Sequence, residues 1–163
     1  MIKKFSSSLK VDRKFFLLNV CLFMALFILG CLLASAFNND YSINHEFHSF
    51  IDIFINNSRI ALVGMFGTIV LAYCIFVFNT IVLGMSLYVA FNVYPLGQLY
   101  KLFVFHGFLE VFCWLITLNI SRKVTRWYLK KEKPKGLFYQ IIICIILYAL
   151  AAFIEYMVIL GRG

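Results

Sequence analysis

The sequence predicts an all-α polytopic membrane bundle, with about five transmembrane helices plus one short amphipathic interfacial helix. Three observations predict it. The chain of 163 residues is 63% hydrophobic and only 13% charged, about half the charged share of an ordinary soluble domain. Its apolar residues fall in runs near the ~20 residues that cross a bilayer. Its basic residues flank those runs: 12 of the 15 Lys and Arg lie before Phe15 or between Ser121 and Gly136, as juxtamembrane segments do. A mean hydropathy of +0.92 and 19 Phe with 9 Tyr leave a soluble fold of this length too little interior to hide its apolar surface. The net charge of +8 is therefore read as membrane orientation, and nucleic acid is not an expected partner.

The first run, 15–37, reads FFLLNVCLFMALFILGCLLASAF. It has no charge and follows Lys3, Lys4, Lys10, Arg13 and Lys14. Ala34-Ser35-Ala36 resembles a signal-peptidase site and Ile28 to Cys31 a weak lipoprotein box. The run exceeds the roughly 7–15 apolar residues of a signal peptide, so a retained span is expected. Next, Phe47, Phe50, Ile51, Phe54 and Ile55 recur at helical spacing among Glu46, His48, Ser49, Asp52 and Asn56. That pattern predicts an interfacial amphipathic helix over about 46–57, too short to cross.

Residues 60–78 form the second expected span and 81–94 the third, joined by a turn at Asn79-Thr80 and ended by Pro95 and Gly97. Gly64, Gly67, Thr68, Gly84 and Ser86 would let the two arms of this hairpin approach closely. The fourth span covers 102–120, and the basic stretch SRKVTRWYLKKEKPKG follows it. The fifth covers 137–160. One membrane domain, 1–163, holds them all. Five spans put both basic blocks on one side, which the positive-inside rule makes the cytoplasm. The N terminus is then cytoplasmic and the C terminus external, in a bacterial cytoplasmic membrane. Trp127 and Tyr128 read as an interfacial anchor, and Lys10, Arg59 and Lys101 as snorkelling cations.

The candidate site lies in the fourth span, at VFHGFLEVF. His106 and Glu110 are one helical turn apart and share a face. A charged residue at a span centre costs about 2.5–3.5 kcal/mol on insertion scales, so the two are either specifically paired or functional. Three readings stay open: a structural His–Glu pair bonded across helices, a site for a proton, ion or polar substrate, and a metal centre. For the last, a third ligand would come from His45, His48, Glu46 or Glu155. The pattern lacks the base-next-to-ligand spacing of a zinc hydrolase. Asn56 and Asn57 read as a helix C-terminal turn or as polar contacts to this span, Asn79 as a turn residue, and Glu155 as a carboxylate near the last span's end. Cys21, Cys31, Cys74, Cys113 and Cys144 sit in apolar runs without a C-x-x-C pair, as small buried packers. No nucleotide-binding or nucleophile motif occurs, and no cofactor is expected.

The ordered elements FIDIFINN, Gly64 with Gly67, Asn79, Gly84 and HGFLE resemble the stage II sporulation protein M (SpoIIM) family of multi-pass membrane proteins, over about 46–120. Phe105 and Thr80 stand where that family usually has Pro and Gly. The resemblance implies a candidate site at His106, Gly107 and Glu110, with no assigned reaction. It further implies a membrane anchor that organises peptidoglycan-degrading partners, or a small subunit beside an ABC transporter in bacteriocin maturation or export. The partners expected are membrane lipid and a membrane protein of a transporter or envelope complex, with a homo-oligomer as another assembly. The alternative function is a membrane-embedded metal-dependent peptidase or cyclase using His106 and Glu110.

A topology reporter fused after Lys135 is expected to read as cytoplasmic and one fused within 38–45 as external. The same side for both would break the five-span arrangement.

Overall fold

The computed structural model describes residues 12–36, 49–93, 96–97, 107–131, 134 and 136–160. These residues form an all-α bundle of five helices: α1 (Arg13–Ala36), α2 (Phe50–Phe66), α3 (Ile69–Val93), α4 (Phe108–Lys130) and α5 (Leu137–Leu160). Three segments, Arg13–Ala36, Ile69–Val93 and Leu137–Met157, are long and apolar enough to cross a membrane. The chain is an integral membrane protein by that measure. Its outer surface is apolar: Leu18, Val70 and Phe78 stand 66–68% exposed, as lipid-facing side chains do.

The helices alternate in direction. At one end, Arg122 of α4 bonds Asp12 at 3.2 Å and lies 4.4 Å over the Phe15 ring. At the same end, Thr125 Oγ1 of α4 accepts the Ile69 N–H at 2.9 Å, and Asn119 donates to Gln140 of α5 at 3.3 Å. The α1 start, the α2–α3 turn, the α4 end and the α5 start therefore share one level. At the other end Phe50 meets Phe153 edge-on at 6.3 Å. Arg13, Lys14, Arg122, Lys123, Arg126, Lys130 and Lys131 all belong to the first end. Asp12 caps α1 there, its Oδ1 accepting the N–H groups of Lys14 and Phe15 at 3.1 and 3.4 Å. The Phe15 N–H is the largest influence holding the Asp12 carboxyl below its ordinary value; partial desolvation opposes it and Arg122 adds to it. A carboxylate with a depressed folded pKa stabilises above its unfolded value and loses that stabilisation as pH falls through the folded one. This cap and ion pair are thus intact at neutral pH.

The break in the second and third elements lies at Gly67-Thr68, not at Asn79-Thr80. A Cβ on Gly67 would sit 2.7 Å from the Val63 carbonyl oxygen and 2.8 Å from Leu71 Cδ2, so this tight exit requires glycine. Thr68 then starts α3, its Oγ1 accepting the Leu71 N–H at 3.3 Å, in the manner of a helix N-cap. At 79–80 nothing stops the helix. Thr80 is fully buried and its hydroxyl bonds back to the Phe76 carbonyl at 2.7 Å, which satisfies it within the helix. The expected spans 60–78 and 81–94 are replaced by α2 and α3.

The separate interfacial helix is corrected too. Residues 50–57 are the first half of α2, so Asn56 and Asn57 end nothing; residues 46–48 lie outside the described residues. Ser49 caps α2, accepting the Asp52 N–H at 3.2 Å. Phe50 and Phe54 pack inward, but Ile53 is the buried residue at 2% exposure, while Ile51 and Ile55 are exposed. The fourth element also continues past Ile120 through the basic block, to an αL residue at Lys131. Cys113 and Cys144 are buried packers as expected, whereas Cys21 and Cys74 face outward.

The small residues join different pairs from those the sequence predicts. Gly84 of α3 faces α1, where a Cβ would strike the Phe27 carbonyl oxygen. A Cβ on Gly30 would strike the Ile81 carbonyl oxygen. The backbones are in contact here, and Cys31 Sγ donates to the Gly84 carbonyl at 3.3 Å. Close small-residue crossings of this kind associate membrane helices by dispersion and short polar contacts.

Gly30→Val and Gly84→Val are each expected to lower the melting temperature in detergent, by more than the roughly 1–3 kcal/mol of ordinary overpacking, because the obstacle is backbone. Gly97→Val, where a Cβ meets nothing within 4 Å, should leave it unchanged. Equal melting of all three would remove the crossing.

Candidate functional site

The N-terminal half of α4 presents Glu110, Cys113 and Thr117 at i, i+3 and i+7, one face of a helix. That face meets Cys144 and Tyr148 of α5. Cys113, Cys144 and Tyr148 are buried to 0%, 0% and 2% exposure. Thr117 Oγ1 lies 3.7 Å from Cys144 Sγ, and Tyr148 lines the same cavity as Thr117. Cys144 Sγ also donates to the Cys113 carbonyl at 3.7 Å. The Thr117 hydroxyl and the Cys144 thiol are thereby paired, as a lipid-surrounded interior requires. Glu110 is half-buried at the outer end of the chain of groups, within electrostatic reach of both Cys113 and Tyr148.

Beside Tyr148 and Thr117 lies a small cavity of about 20 Å³ between four helices, lined also by Ala61 and Gly64 of α2, Phe76 of α3 and Trp114 of α4. A space of that size holds about one water molecule. Gly64 lets α2 come close: a Cβ there would sit 3.1 Å from Thr117 Cγ2.

The residues singled out in the sequence fall on four helices. Gly107 is buried at the start of α4, one turn before Glu110. His106 lies outside the described residues, as do His45, Glu46 and His48. Asn57 is half-buried and Asn56 exposed, both mid-way along α2. Asn79 is half-buried inside α3, and Glu155 half-buried near the far end of α5. Among the described residues no three His, Cys, Asp or Glu side chains converge closely enough to hold a metal ion. What the sequence reading missed is the partnership of Thr117, Cys144 and Tyr148. The stripe Glu110, Cys113, Thr117 was legible at helical spacing; its partner on α5 was not.

The family model of stage II sporulation protein M matches residues 19–158, most of the chain. The chain belongs to the stage II sporulation protein M family. The match extends the resemblance from the middle of the sequence to α1 and α5, so the whole five-helix bundle is the SpoIIM unit. No curated protein and no solved structure matches it.

In this SpoIIM bundle, Thr117→Val is expected to lower stability by about 1 kcal/mol, the net value of one hydrogen bond, read as a fall in detergent melting temperature. Combined with Cys144→Ala it should cost less than the sum of the two single changes, because the hydroxyl and the thiol share one contact. Full additivity would show that the hydroxyl and the thiol act independently.

Proposed function

We propose that this chain is a non-enzymatic membrane subunit of the SpoIIM type. It scaffolds, or assists export and maturation by, a second membrane protein, with a bacteriocin-like peptide or an envelope machinery as the object served. One observation supports this most directly. The last turns of α4 run beyond the bundle as an exposed basic helix: Arg126 to Lys131 are all exposed, with Trp127 and Tyr128 stacked at 5.9 Å and Leu129 at 79% exposure. A rigid helix carrying cations, an aromatic pair and a protruding Leu offers anchors of the type that dominate protein interfaces. Its basic character supports the reading that this end faces the cytoplasm, with the C terminus external.

Quantitative mass spectrometry after mild-detergent purification of the tagged chain tests the reading. A transporter ATPase or a wall-remodelling protein should co-purify in stoichiometric amount. The triple change Trp127→Ala, Tyr128→Ala, Leu129→Ala should deplete it while membrane levels of the chain hold. A chain that purifies alone, binds zinc and cleaves or cyclises a hydrophobic precursor would overturn the proposal in favour of an enzyme built on His106 and Glu110.

A further inference from the structure

We propose that the stripe Asp52, Asn56 and Arg59 on α2 is a docking seam for a transmembrane helix of a different protein, one that carries a carboxylate at the depth of Arg59. The inference deepens the subunit reading above and rests on it.

Depth is the first ground. The α2 end is level with Thr125, about one turn inward of Arg122, where the basic end begins. Arg59 lies eight residues outward of Gly67, about 12 Å along the axis, and Asn56 about 16 Å. The outer end of α2 can be placed independently. Phe50 meets Phe153, which is 13 residues, about 20 Å, outward of Gln140. Both routes leave the start of α2 about 21–24 Å above Arg122, inside a hydrocarbon core of about 30 Å. Asn56 and Arg59 are therefore at membrane depth.

Exposure is the second. Asp52, Asn56 and Arg59 are all exposed, and neither Asn56 nor Arg59 has a hydrogen-bond or ion-pair partner among the described residues. An amide and a guanidinium turned to lipid at this depth are costly and normally face protein or a polar passage.

The spacing is the third. Residues 52, 56, 59, 63 and 66 step by four and three, the seam along which two helices pack with a left-handed crossing. Val63 and Phe66 continue it at 50% and 48% exposure, and Ile55 and Leu62 flank it at 56% and 43%. A helix fits such a seam.

Charge selects which helix. A second copy of this chain, inserted in the same orientation, would set Arg59 against its own equivalent and Asp52 against its own, two like-charge pairs in a low dielectric. A foreign helix with Asp or Glu opposite Arg59 forms a charge-assisted bond instead. Asn56 can then donate to and accept from its backbone or side chains.

The test uses the full chain in native membranes, with a benzophenone photo-crosslinking amino acid in place of Asn56. The same probe in place of Phe78, 68% exposed on α3, is the lipid-face control. The expected result is one discrete protein adduct from position 56 and none from position 78. Arg59→Glu should reduce the adduct at least about tenfold, the effect of reversing one charge-assisted contact, at unchanged membrane level. Arg59→Lys should retain most of it. Changing the membrane carboxylate of the adducted protein to Lys should restore the adduct with Arg59→Glu. An adduct at twice the 18.9 kDa chain mass would overturn the proposal in favour of a homodimer. Lipid adducts alone, or indifference to Arg59→Glu, would overturn it in favour of snorkelling. Loss of the adduct with co-purification intact sinks only this seam; a chain alone in both assays sinks the subunit reading as well.

Discussion

The bond from the Ile69 N–H to Thr125 Oγ1 sets the axial register of this bundle. A chain in lipid must satisfy its backbone internally, and between α2 and α3 it interrupts its helices for only two residues. Gly67 closes α2 by donating to the Val63 carbonyl at 2.9 Å. Thr68 and Thr125 together satisfy donors at the start of α3. This places the turn level with the basic part of α4, and everything above it follows by helix rise. Asn56 and Arg59 stand about 16 and 12 Å from that end because the turn is at 67, and Gly84 reaches Phe27 because α3 begins at 69.

Two kinds of contact then build the bundle on that register. On one side α1 lies on α3 through a backbone-to-backbone approach at Gly30 and Gly84. The gain there is dispersion, since lipid gives no hydrophobic drive for helices to associate. On the other side α4 and α5 meet through polar groups: Asn119 with Gln140, and Cys113 and Thr117 with Cys144 and Tyr148. These contacts are directional and fix rotation as well as distance. Helix α2 packs on α3, α4 and α5 through small residues, Ala61 and Gly64, and keeps its polar stripe outward. A helix of 17 residues, about 26 Å long, also falls short of a bilayer core of about 30 Å.

Of the sequence-level reading, the helical class, the family and the α1 and α5 boundaries were legible because hydropathy over some twenty residues is a strong signal. The middle of the chain was not. Asn79-Thr80 carries the composition of a turn, yet Thr80 finds its partner four residues back and the helix passes through. Gly67-Thr68 looked like a small-residue packing pair, yet it is the turn, because a threonine fifty-seven residues later captures the first free N–H of α3. At the site, Glu110 and the face it shares with Cys113 and Thr117 could be read from spacing. Tyr148 could not, since an isolated tyrosine in an apolar run has no periodicity that names its partner.

The sequence by itself determined that this chain lives in a membrane, which end of it carries the positive charge, and which residues are too polar for lipid to hold unpaired. These follow from transfer free energies, which depend on composition and order alone. Only the tertiary structure decided which glycines touch which backbones, that α2 runs unbroken from Phe50 to Phe66, and that Asn56 and Arg59 point away from the bundle and not into it. Those are matters of rotation and register. In a helix that is apolar nearly all round they are set by the shapes and bonds of its neighbours, not by its own hydropathy.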